Sequence, residues 1–128
     1  MTKNMLKFED LKGKVLSNVE NNDDEELIFT TVEGEVYKLY HWQNCCESVT
    51  IEDICGDLND LIGEPLLVAE EVVHEDVNPE GVPDKECQDY SFTWTFYKLD
   101  TRKGGVTVRW YGESNGYYSE SVDFCQVA

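Results

Sequence analysis

The chain has 128 residues, 41% hydrophobic and 12% aromatic, a composition that suits one globular domain over residues 1–128 and excludes a disordered chain. The formal net charge of −17 disfavours direct binding to a nucleic-acid backbone or an anionic membrane surface. Because the sequence has neither an apolar run of about 18 residues nor the apolar core of a signal peptide, we expect a soluble cytoplasmic protein.

The first third of the chain is predicted to be β-structure. Residues Lys14–Glu20 predict a first strand, and the Asn/Asp/Glu run that follows predicts a solvated turn. β-Branched and aromatic residues lie on both sides of Glu33 and Gly34, which predicts a hairpin over residues 27–42.

Residues 50–62 predict the main helix of the protein. Thr50 and Asp53 have the spacing of a capping box at its start. Gly63 and Pro65 have the character of residues that end a helix. The apolar residues between these signals recur at helical spacing: Ile51, Ile54, Cys55, Leu58, Leu61 and Ile62.

The second half of the chain predicts four more strands. They cover residues 66–74, 90–100, 106–112 and 117–124, and a loop over residues 75–90 separates the first two. The expected fold is therefore α+β: one antiparallel sheet of about six to seven strands with one main helix packed on it, in the order β-β-β-α-β-β-β-β.

The last two predicted strands form a hairpin whose register follows from the apolar pattern. A three-residue loop with Gly116 in a left-handed conformation places Val106 opposite Phe124 and Trp110 opposite Glu120. Glu120 then lies on the apolar face, either reaching water at the rim of the sheet or recruited as a buried polar group. The opposite face is wet and aromatic, and carries the predicted contact residues Arg109, Tyr111, Glu113 and Tyr117.

A cluster of reactive residue types lies just before the predicted helix. His41, Cys45, Cys46 and Glu47 fall within a few residues of one another, and Cys55 follows. The five cysteines lack the spacing of a disulfide framework, so we expect free thiols. Adjacent cysteines do not form a zinc knuckle, so no metal and no cofactor is expected. A thiol nucleophile assisted by His41 is the alternative, but the acidic neighbours disfavour a thiolate.

The outer face of the predicted helix is acidic. Asp53, Asp57 and Asp60 would line it at i, i+4 and i+7, a spacing unlike that of a calcium loop. This stripe is either an ordinary solvated face or a docking surface for a basic partner.

Two segments resemble a family of small, acidic, uncharacterised proteins of bacteriophages and prophages. They are "YKLYHWQNCCESVTIEDICGDLNDLIGEP" and "TWTFYKLDTRKGGVTVRWYGESNGYYSESVDF". The resemblance implies an accessory protein in a bacterial cytoplasm that binds a host protein without catalysis, as an inhibitor, anti-defence protein or DNA mimic. The expected partner is a basic host protein, and nucleic-acid-binding proteins are one class of such partners. The alternative is a small-ligand or nucleotide-binding protein that uses the Tyr-rich hairpin face, and homo-oligomer formation stays open.

Overall fold

Nine β-strands form the regular structure of the protein, whose computed structural model describes residues 4–83 and 91–128. Two 3₁₀ turns, Phe8–Leu11 and Leu58–Leu61, accompany the strands. The strands are β1 (Asn4–Met5), β2 (Leu16–Asn22), β3 (Glu26–Thr31), β4 (Val36–Tyr40), β5 (Ser48–Cys55), β6 (Val68–Glu75), β7 (Ser91–Thr101), β8 (Gly104–Ser114) and β9 (Asp123–Gln126).

The strands are arranged in two sheets with antiparallel neighbours. The first sheet has five strands in the order β1-β9-β4-β3-β2, and the second has four in the order β5-β8-β7-β6. The chain therefore completes β2–β4 in the first sheet, builds the second sheet, and returns with β9 to pair with β4 and β1.

One hydrophobic core lies between the two sheets. Strands with period-2 burial, such as β3 and β8, direct alternate side chains into it. The first 3₁₀ turn closes the core with Phe8, whose ring lies 4.6 Å from that of Tyr97 and 5.4 Å from that of Phe124. The buried residues include Leu27, Phe29, Tyr37, Leu39, Tyr97, Leu99, Val106, Val108, Trp110 and Phe124.

The prediction of an α+β fold with a helix over residues 50–62 is wrong. These residues form most of β5 and the second 3₁₀ turn. The helical spacing arises because β5 has a bulge between Ile51 and Asp53. The extra residue lets Ile51 and Ile54, three apart in sequence, pair with Trp110 and Val108 on the same face of β8.

The predicted closing hairpin is also wrong. β8 pairs with β5 on one side and β7 on the other, so no side of β8 is left for residues 117–124. Residues 115–122 leave the second sheet, and β9 joins the first sheet, where Phe124 pairs with Leu39. Gly116 does have the left-handed conformation that was predicted, with φ +93°.

Several local predictions are confirmed. β2, β3 and β4 lie where strands were expected, with Gly34 at φ +92° in the turn between β3 and β4. β6, β7 and β8 are also strands, and Arg102 and Lys103 form the turn that joins β7 to β8. The predicted loop over residues 75–90 lies partly outside the described residues. Within those residues, no helix is long and apolar enough to cross a bilayer.

Candidate functional site

Glu120 is buried at the point where the chain crosses from the second sheet to the first. It is 8% exposed. Its Oε1 accepts a hydrogen bond from Thr93 Oγ1 at 2.7 Å, and its Oε2 accepts hydrogen bonds from the hydroxyls of Ser91 and Ser114. These hydroxyls lie at the start of β7 and the end of β8. Glu120 therefore attaches residues 115–122, the crossing segment, to the second sheet. The hypothesis of exposure at a rim is wrong, because the carboxylate is buried among these hydroxyls.

Beside Glu120 lies a groove of about 310 Å³. Its walls are β6, the start of β7 and residues 118–122, and hydroxyl groups from several Ser and Thr side chains lie between them. Among the described residues that line it there is no Lys or Arg. Four carboxylates line the groove: Glu71, Glu75, Asp76 and Glu120. The groove therefore favours a cationic occupant over an anionic one.

On the other side of the crossing segment, His41 and Glu47 form a buried pair. Their side chains are 3% and 0% exposed, and His41 Nε2 lies 2.8 Å from Glu47 Oε2. The other ring nitrogen, Nδ1, lies 2.7 Å from the carbonyl oxygen of Ser121. A carbonyl and a carboxylate are both acceptors, so the two ring nitrogens of His41 hold the buried ring between Ser121 and Glu47.

The Glu47 carboxylate also organises the loop that precedes β5. Its two oxygens accept the backbone N–H groups of Asn44 at 2.8 Å and Cys45 at 2.9 Å. Burial acts to raise the pKa of Glu47, but the N–H of Asn44, the ring of His41 and the N–H of Cys45 outweigh burial and lower it to about 2.

The lowered pKa of Glu47 predicts a specific loss of stability in acid. A carboxyl group whose pKa is lower in the folded state stabilises the protein above its ordinary pKa, near 4.5, and loses that contribution as pH falls toward about 2. We expect the free energy of unfolding to fall between these pH values in the wild type, and to fall less in Glu47→Gln. Urea unfolding from pH 6 to pH 2.5 measures both proteins, and parallel curves would contradict the prediction.

Cys45 and Cys46 lie in the same loop and are joined to each other as a vicinal disulfide. The prediction of free thiols is therefore wrong for this pair, because the loop turns both side chains to the same side and places their sulfur atoms against each other. Cys55 and Cys125 are free, and Cys87 lies outside the described residues. His41 faces Glu47 and Ser121, so the ring contacts do not match the predicted thiol–histidine pair.

A second groove of about 340 Å³ lies between this loop and the end of β8. Cys46, Glu47 and Glu113 line it, and Tyr118 lines both this groove and the one beside Glu120. The structure therefore gathers the predicted residues His41, Cys45, Cys46 and Glu120 around residues 115–122, but on two sides of that segment.

Arg109 and Tyr111 lie elsewhere, on the outer face of the second sheet. The guanidinium of Arg109 binds the Glu52 carboxylate through two hydrogen bonds, at 3.0 and 2.9 Å. The expected closing hairpin would have placed Asp123 diagonally opposite Arg109, but Asp123 lies in the first sheet and accepts the N–H of Trp42, at 2.9 Å. The ring of Tyr111 packs 4.7 Å from the ring of Trp94, and its hydroxyl donates to Glu113 at 3.2 Å.

The three predicted stripe residues do not form one stripe, because there is no helix to align them. Asp53 lies 3.8 Å from Arg109 in a salt bridge, and Asp57 accepts the N–H of Asn59 at the start of the second 3₁₀ turn. Asp60 follows inside that turn. Tyr117, 89% exposed, stands apart at the turn after β8, so it does not share a face with Tyr111.

The sequence analysis missed the acids that line the first groove beside Glu120, and it missed the anchoring role of Glu47. Both follow from strand periodicity once the strands are known. Glu47 has the same parity as the buried Val49 and Ile51 in β5, and Glu71 has the same parity as the buried Ala69 in β6. The helix hypothesis hid the signal at Glu47, because a helix that begins at residue 50 separates Glu47 and Val49 from Ile51.

The family of the chain follows from its comparison with family models. A model described as a domain of unknown function, DUF7448, matches residues 9–124, which is most of the chain. The chain belongs to the DUF7448 family. In this DUF7448 domain the match runs from the first 3₁₀ turn into β9, so it includes both grooves. No curated protein and no solved structure matches the chain.

Proposed function

We propose that this protein is a small acidic accessory protein of phage type that binds a basic host protein in the bacterial cytoplasm, without catalysing a reaction. The observation that carries the proposal is the groove beside Glu120, where Glu71, Glu75, Asp76 and Glu120 meet no Lys or Arg among the described lining residues. A Lys or Arg side chain of a partner would supply the missing positive charge and would find hydroxyl groups as further acceptors.

Four of the basic side chains are already paired with carboxylates of the protein itself. Lys14, Lys38, Arg102 and Arg109 each lie within 3.2 Å of a glutamate carboxylate, so their charges are already matched within the chain. With a net charge of −17, the uncompensated acids would steer a basic partner toward the protein and repel nucleic acid. This supports an inhibitor, anti-defence protein or DNA mimic directed at a nucleic-acid-binding surface.

The alternative of a nucleotide or small-ligand site on the Tyr-rich face has weaker support. Tyr111 is held against Trp94 and Glu113, whereas Tyr117 stands apart from it. In the second groove, a phosphate would approach Glu113 and Glu47 without meeting a Lys or Arg among the described lining residues. We therefore retain one proposed function.

The proposal predicts that binding depends on the position of the acids as well as on their number. Glu75 lines the groove and is exposed on β6, whereas Glu33 is exposed in the turn between β3 and β4. We expect Glu75→Lys to weaken binding of a basic host protein at least about ten-fold, which corresponds to roughly 1.4 kcal/mol. Glu33→Lys makes the same change of charge away from the groove and should keep most of the affinity.

The measurement has two stages. The wild type captures proteins from bacterial lysate at low and moderate salt, and the captured proteins are identified by mass spectrometry. The purified partner is then titrated with both variants, with double-stranded DNA as a competitor for its basic surface. Capture of no basic protein at either salt concentration, or equal weakening by both variants, would contradict the proposed function.

A further inference from the structure

The outer edge of the second sheet is an open strand. Among the described residues, β6 pairs with β7 alone. Its even-numbered residues direct their N–H and C=O groups toward β7, and the hydrogen bond from the Asp76 N–H to the Phe92 carbonyl, at 2.8 Å, continues this pattern just after the strand. The odd-numbered residues therefore direct their N–H and C=O groups away from β7. The N–H of Glu71 confirms this direction, because it donates outward to the Glu9 carboxylate at 3.1 Å.

The following part of the edge has no such cover. No residue within 4–83 or 91–128 accepts the N–H of Val73 or Glu75. Val73 is 47% exposed, and Val72 beside it is 39% exposed. An open edge of this kind presents paired donors and acceptors to another extended chain.

The two faces of this edge differ in chemistry. Val73 and Glu75 face the groove that contains Glu120. Val72 and His74 lie on the opposite face, where they pair with Phe96 and Trp94 of β7. Because side chains alternate along a strand, an added strand would place every second residue against the carboxylates and the residues between against an apolar surface.

We propose that β6 accepts an extended segment of a basic partner as an added strand, with Lys or Arg side chains toward the groove and apolar side chains on the other face. This inference rests on the proposed function and specifies how the partner is recognised. A second copy of the chain is the less suitable occupant, because it would bring the acids of one β6 against those of the other. A basic strand instead complements them.

Synthetic peptides test the alternation. The probe is a capped peptide of alternating lysine and valine, and its control is the isomer with the lysines and valines in two blocks. Both have the same charge, so a purely electrostatic contact binds them equally. We expect the alternating peptide to bind at least ten-fold more tightly at moderate salt, about 1.4 kcal/mol.

Backbone methylation tests the strand itself. One peptide carries N-methyl groups on the lysine amides and another on the valine amides. Only one set of amides faces β6 in an added strand, so one methylated peptide should lose binding and the other should keep it. On the protein side, peptide binding should slow hydrogen exchange at the amides of Val73 and Glu75. Val73→Pro should abolish binding, because it removes an N–H that would donate to the added strand. The variant should still fold, since proline is tolerated where an edge N–H faces solvent.

The outcomes separate the two proposals. Preference for the alternating peptide, loss with one methylated set and slowed exchange at Val73 and Glu75 support the added strand, even if Val73→Pro does not fold. Equal binding of both isomers and both methylated peptides overturns the added strand while leaving basic-partner binding intact. Failure of every peptide, while a basic host protein still binds, also overturns it. Failure of peptides and host proteins alike contradicts the proposed function.

Discussion

Replacement of Gly56 by alanine is expected to destabilise the protein by about 3 kcal/mol or more. Gly56 follows β5 with φ +112°, a conformation that residues with a Cβ rarely adopt. An added Cβ would also lie 2.5 Å from the carbonyl oxygen of Gly105 and 3.1 Å from Cα of Val106. Both contacts are with backbone atoms of β8, so neither can be relieved by rotating a side chain.

This substitution distinguishes the observed strand from the predicted helix by the sign of its effect. In the middle of a helix, glycine to alanine would stabilise the protein by about 1 kcal/mol. The matched control is Gly63→Ala, because Gly63 has φ +89° but no atom within 4 Å of an added Cβ. We expect the control to lose about 1 kcal/mol, and urea unfolding to give the order wild type, Gly63→Ala, Gly56→Ala. A Gly56→Ala variant as stable as wild type would contradict the bulged strand.

The incorrect prediction of a helix over residues 50–62 shows that apolar spacing alone does not distinguish a helix from a bulged strand. Ile51 and Ile54 lie one helical turn apart, but a bulged strand gives them the same relation, and the bulge depends on pairing with β8, more than fifty residues later. β-Branched residues such as Ile51 and Ile54 favour a strand, a preference that the helix prediction did not take into account. Gly63 has the predicted positive φ, yet it follows a 3₁₀ turn rather than a helix.

Local hairpins could be predicted, whereas distant pairings could not. The turn at Gly34 and the turn at Arg102 and Lys103 join neighbours in sequence that are also neighbours in a sheet. The last strand does not follow this rule. Phe124 was expected opposite Val106, but β8 already has two partners, and Phe124 instead pairs with Leu39 of the first sheet. Sequence patterns define the faces of strands more clearly than their partners.

The candidate site was predictable in its residues but not in its geometry. The cluster around His41 was recognised, although the central acceptor is Glu47 rather than a thiol. Glu120 was singled out because a carboxylate interrupts an apolar pattern. The hydroxyls that bind it come from the start of β7 and the end of β8, which only the folded sheet brings together.

Replacement of Glu120 by alanine is the second substitution with a large expected effect, a loss of roughly 3 kcal/mol in the free energy of unfolding. The carboxylate is 8% exposed and accepts hydrogen bonds from Ser91, Thr93 and Ser114. Its removal leaves these hydroxyls without their acceptor at a largely buried position. It also detaches residues 115–122 from the second sheet, so their amides should exchange faster with solvent.

The controls separate this anchoring role from the charge that Glu120 gives the groove. Glu33→Ala removes an exposed carboxylate in the turn between β3 and β4, and should change stability by no more than about 0.5 kcal/mol. If Glu120→Ala loses no more than that, the carboxylate does not anchor the crossing segment. Glu120→Gln keeps the shape and one carbonyl acceptor while removing the charge, and hydroxyls can rotate to accept from its amide. It should therefore retain more stability than Glu120→Ala yet bind a basic partner more weakly than wild type, because the groove loses the charge of one of its four carboxylates.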